Sequence, residues 1–189
     1  MSRDISDVVL EGDAYEEATV LTRRVFPISI TGKVRVCVVS LASTVFLLPA
    51  VAVRGDLIRQ LEPTADGAPP AFVSVVGLGT VLTFLFGLAF LRQRHVVETR
   101  TLDFESAALL VRIEDLLMTF TVSTGLLFVF VPLVLAVVGA FSPETVLYLY
   151  QQDVRLYRPS GGSFLSTALV SATGVVLSVV LFVLEVATR

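Results

Sequence analysis

Four stretches of this chain contain no charged residue: Val36 to Val53, Ala71 to Leu91, Leu116 to Phe141 and Ser163 to Leu184, which are 18, 21, 26 and 22 residues long. An α-helix needs roughly 20 residues to cross a hydrocarbon core of about 30 Å at 1.5 Å per residue. Each stretch is long enough to do so. The buried helices of soluble proteins typically carry apolar runs of only about 10 to 14 residues. With 54% hydrophobic residues and a mean hydropathy of +0.84, the chain has too little polar surface to clothe four such helices in water. The strands of a membrane β-barrel would alternate apolar and polar residues over about ten positions, a pattern these runs lack. The expected fold is an all-α polytopic membrane protein with transmembrane helices at about 36–53, 71–91, 116–141 and 163–184.

The basic residues orient these helices. Ten Lys or Arg fall in the N-terminal segment, the middle loop and the C-terminus, against four in the first and third loops (Arg54, Arg59, Arg155, Arg158). The positive-inside rule places the first group in the cytoplasm and both termini with it. Acidic residues gather on the same side, but they weigh little in topology, so the net charge of −3 does not oppose the assignment. The first 33 residues show no apolar signal-peptide region, so the first span is expected to act as its own insertion signal. Thirteen of the fourteen basic side chains are Arg. With the acidic loops, that usage suggests a prokaryotic cell membrane, haloarchaeal or actinobacterial.

On this reading residues 1–34 form a cytoplasmic segment, and 35–189 a four-helix membrane domain with a cytoplasmic loop at 92–115. Asp13 and Glu16 resemble a capping box, and Ala14, Ala18, Leu21 and Val25 recur at helical spacing before Pro27. That predicts an amphipathic helix over 13–26 lying on, or just under, the inner membrane surface. In the middle loop, Asp103 is a candidate N-cap for a helix running from Phe104 into the third span, about 57 Å in all. Pro132 is expected to kink that helix. Ser142-Pro143-Glu144 reads as a helix start, and Tyr148, Tyr150 and Tyr157 suit the headgroup level.

The two cytoplasmic segments resemble each other. Tyr15-Glu16-Glu17-Ala18 and Phe104-Glu105-Ser106-Ala107 align, each ending five residues later in an arginine, Arg23 and Arg112. The spans that follow share Ser-Thr and a later Pro (Ser43-Thr44 and Pro49; Ser123-Thr124 and Pro132), and the second helices open on Ala71-Phe72-Val73-Ser74 and Ser163-Phe164-Leu165-Ser166. We read this as a tandem repeat of an amphipathic helix plus a two-helix hairpin, the copies related by a pseudo-twofold axis along the membrane normal.

The chemical inventory is short. A single histidine, His95, and a single cysteine, Cys37, cannot supply the ligands of a zinc or bis-histidine haem site, and no cofactor is expected. Gly77-Leu-Gly79 lacks the third glycine of a dinucleotide fingerprint, and the acidic exposed segments argue against nucleic acid. Arg35, Glu114, Asp115 and Glu185 flank the spans, where snorkelling to the headgroups would accommodate them, so no carboxylate of a proton-coupled transporter is expected at bilayer depth. Small and hydroxyl residues instead form stripes: Gly79, Thr83 and Gly87 in the second span, and Thr167, Ser171, Gly174 and Ser178 in the fourth. Such stripes let helices pack closely, and they would also line a polar pore. The expected function is a non-enzymatic subunit or scaffold of a membrane complex, in contact with membrane lipid and with other membrane subunits or its own copies. The alternative is a small oligomeric channel or facilitator lined by Ser and Thr.

Overall fold

A computed structural model describes residues 14–22, 24–52, 70–152 and 166–188. These are helical almost throughout. A short helix α1 (Ala14–Leu21) precedes the first span, which comprises α2 (Ile30–Ser43), a 3₁₀ turn (Thr44–Phe46) and α3 (Leu47–Ala52). The second span is α4 (Ala71–Thr99). The third comprises α5 (Phe104–Thr124), a π-helical segment (Gly125–Phe130) and α6 (Val131–Phe141). After α7 (Pro143–Gln151), the fourth span is α8 (Thr167–Ala187). Ile30–Ala52, Ala71–Thr99, Phe104–Gly139 and Thr167–Ala187 are each long and apolar enough to cross a membrane. Only 28 to 39% of each spanning stretch is buried, so most of its apolar side chains point outward, as in a bundle whose solvent is hydrocarbon.

The helices outrun the apolar stretches at one end of the bundle, called here the polar end, where Lys33, Arg35, Arg94, Glu114 and Glu185 lie. The expected loop at 92–115 is helical except for the link at 100–103. Asp103, extended at φ −80° and ψ 160°, starts α5 by accepting the Ala107 amide at 3.0 Å. Ser142 and Pro143 start α7, with the Ser142 and Thr145 hydroxyls 2.7 Å apart. The features expected at Arg23, Tyr157, Arg189 and within 1–13, 53–69 and 153–165 lie outside the described residues.

Both interrupted spans carry their irregular turn just before a proline. Proline lacks an amide hydrogen and its ring crowds the carbonyl one turn back. The first span tightens to a 3₁₀ turn ahead of Pro49, whereas the third widens to a π segment ahead of Pro132. The π segment ends two residues ahead of Pro132, the position at which the sequence predicts a kink.

Helix packing departs from two-fold symmetry. In the first span, α2 packs on the second span, and all three segments meet the fourth, but the third and fourth spans share at most marginal contact. Buried residues gather in three clusters. One lies around Leu41, Phe90, Met118 and Leu181, a second around Leu47, Val73, Leu133 and Val170, and a third joins Ala18 of α1 to Ala107 and Val111 of α5.

Candidate functional site: a buried ionic cluster at the polar end

The third cluster begins with alanines. Ala18 and Ala107 are both fully buried, and side chains this small let α1 and α5 approach closely. Helix α1 therefore lies against the extension of the third helix. It ends at Leu21, short of the predicted residue 26. The Val25 amide donates to Asp115 Oδ2 at 2.7 Å, which draws the backbone out of the helical path and carries Arg24 inward.

Glu114 is the hub. Its side chain is 1% exposed and accepts three hydrogen bonds: Lys33 Nζ and Arg24 Nη2 each donate to Oε1 at 2.7 Å, and the Tyr15 hydroxyl donates to Oε2. Lys33 is fully buried, with Asp115 Oδ1 a further 3.7 Å away. Two cations from the segment 24–33 and two carboxylates of the third helix, 81 or more residues later, thus make one compact group. Charge-assisted bonds of this kind are stronger than neutral ones, and each buried charge here faces one of opposite sign. Burial, followed by the bond to Glu114 and its negative charge, raises the Tyr15 hydroxyl above its ordinary pKa. Tyr15 therefore stays a donor throughout the physiological range. A second ion pair, Arg35 Nε to Glu185 Oε1 at 3.6 Å, joins the first span to the end of the fourth, with Glu185 fully buried.

These contacts correct the placement of Glu114, Glu185 and, in part, Asp115 among the headgroups. They lie inside the protein, and the nearby Lys33 is enclosed with them. One signal was available: the chain uses lysine once against thirteen arginines. That one lysine is the fully buried cation of the cluster.

The small-residue stripes face other helices of the same chain. A Cβ on Gly79 would meet Phe128 Cβ at 2.7 Å, and one on Gly87 would collide with Leu181. One on Gly174 would strike the Thr44 side chain. Ser171 Oγ donates to the Thr44 carbonyl and Ser178 Oγ to the Val38 carbonyl, both at 3.0 Å, which ties the fourth span to the first. Thr167 is half-buried at the start of α8, Thr83 is fully buried, and Pro132 is buried beside Leu133. His95 is exposed. No group of His, Cys, Asp and Glu among the described residues is arranged to hold a metal ion. No protein-family model, curated protein or solved structure matches this chain.

Proposed function

We propose that this chain is a non-enzymatic, multi-pass protein of a prokaryotic cell membrane, with both ends in the cytoplasm, that serves as a subunit or scaffold in a membrane complex. The observation that carries this reading is the docking of α1 onto the extension of the third helix through Glu114. It fixes a helical platform at the polar end that a mobile surface helix would not provide. Leu21 of α1 and Leu109 and Ile113 of α5 are 57%, 59% and 38% exposed at this end, and exposed apolar side chains on helices fixed to one another suit a protein partner. Against a Ser/Thr-lined channel, the hydroxyls of Ser171 and Ser178 are engaged with backbone carbonyls of the first span.

We also read the two amphipathic segments as diverged copies of one unit. Ala18 and Ala107, equivalent in the alignment, meet in one contact, and the helical irregularities begin at Thr44 and just past Thr124, again equivalent positions. The unequal packing of the two hairpins means the copies no longer share one architecture.

The test is reconstitution of the purified protein in liposomes, paired with a photo-crosslinking residue at Leu109 in native membranes. The expected result is no solute flux or turnover, and a discrete crosslinked protein that disappears when Glu114 is replaced. Flux through the protein alone, with Ser178→Val changing conductance but not assembly, would establish the channel instead.

A further inference from the structure

Beside the ionic cluster lies a cleft of about 490 Å³ between α1, the start of the first span and the end of the second. Its walls include two arginines, Arg24 and Arg94, whose side chains are only 11% and 14% exposed. A guanidinium carries five N–H donors. Arg24 gives Nη2 to Glu114 and Arg94 gives Nε to Glu98, each at 2.7 Å. Arg24 Nε and Arg94 Nη1 are buried without a hydrogen-bond partner. Buried donors are nearly always satisfied, and two of them on cations bordering one cleft point to an anionic acceptor in it.

The carboxylates of the cleft are arranged otherwise. Glu98 is about half exposed and Glu16 is exposed, so negative charge sits at the rim and the guanidinium groups sit deeper. Val20, Ile30 and Val97 supply apolar wall. The depth is that of headgroups: Ile30 begins the first span, and Arg94 lies three residues past the apolar run ending at Leu91.

We propose that this cleft binds the phosphate of a membrane phospholipid, the phosphate oxygens accepting from Arg24 and Arg94 and the glycerol end lying on the apolar wall. The proposal rests on the four helices spanning a bilayer, and is independent of whether the protein is a scaffold or a channel. A free phosphorylated metabolite would present the same phosphate without the chains.

The experiment uses delipidated full-length protein in a neutral detergent, with binding read by native mass spectrometry and by thermal shift. Phosphatidylglycerol, phosphatidylethanolamine, diacylglycerol and glycerol 3-phosphate are titrated in turn. Arg94→Gln is the principal variant because Arg94 takes no part in the Glu114 cluster; Arg100→Gln, on an exposed arginine in the link at 100–103, is the control. Both phospholipids should bind and stabilise, with Arg94→Gln weakening them about tenfold, the loss of one charge-assisted bond, and Arg100→Gln leaving them unchanged. Equal stabilisation by diacylglycerol, or no effect of Arg94→Gln in a variant that retains its unliganded melting temperature, would overturn the proposal. Glycerol 3-phosphate binding as tightly as the lipids would overturn the lipid assignment in favour of a soluble phosphate ligand.

Discussion

Replacing Glu114 should be far more damaging than replacing Lys33, although the two face each other at 2.7 Å. Glu114→Gln leaves two buried cations behind. Lys33 keeps only the Asp115 oxygen at 3.7 Å, and Arg24 loses its carboxylate. Removing one member of a buried ion pair costs about 3–5 kcal/mol, because the partner remains desolvated and uncompensated. Lys33→Met acts differently: Glu114 keeps Arg24 and the Tyr15 hydroxyl, Asp115 is partly solvated and keeps the Val25 amide, and a fully buried ammonium no longer has to be desolvated. The lost charged bond, about 1.5–3 kcal/mol, is then largely offset by that relief, leaving a net effect within about 1 kcal/mol. The double variant should consequently be more stable than Glu114→Gln alone. Unfolding of each variant by SDS titration in bicelles, followed by circular dichroism, gives the four corners of the cycle. If Lys33→Met costs as much as Glu114→Gln, or fails to rescue it, then Glu114 is not the hub the geometry makes it.

Gly174→Ala should destabilise the bundle by about 1–3 kcal/mol through overpacking against Thr44, with partial rescue by Thr44→Ala, as measured by thermal unfolding in detergent. Ser178→Ala, which removes the bond to the Val38 carbonyl, should cost only about 0.5–1.5 kcal/mol in the same assay. Docking of α1 should weaken in alkali. The docked state holds the Tyr15 proton more tightly than the undocked state, so its contribution is complete below pH about 10 and declines as pH rises above that value. Limited proteolysis near Arg24 should accelerate above pH 10 in the native chain, and Tyr15→Phe should remove that component.

The spans could be read directly because length and charge-free composition decide membrane insertion locally. Helix starts at Asp103 and Pro143 were equally legible, each being set within a few residues. The ionic cluster was not. Glu114 is separated from its three partners by 81 to 99 residues, and a charge at the end of a span looks the same in sequence whether it meets a headgroup or a buried partner. The α1 segment did hold a clue in its composition. An apolar stripe begun by Ala14 and Ala18 offers little area to lipid but suits close approach to a second helix, and Ala18 makes that contact while Leu21 remains exposed.

The separation of Lys33 from Glu114 also bears on how the protein is made. Translation at about 5–20 residues per second leaves roughly 4 to 16 s between the synthesis of one and of the other. During that interval the lysine has no carboxylate from the third helix. For a chain inserted as proposed above, burying Lys33 must therefore wait for the third helix, and a chain stalled before residue 114 would display an unneutralised lysine.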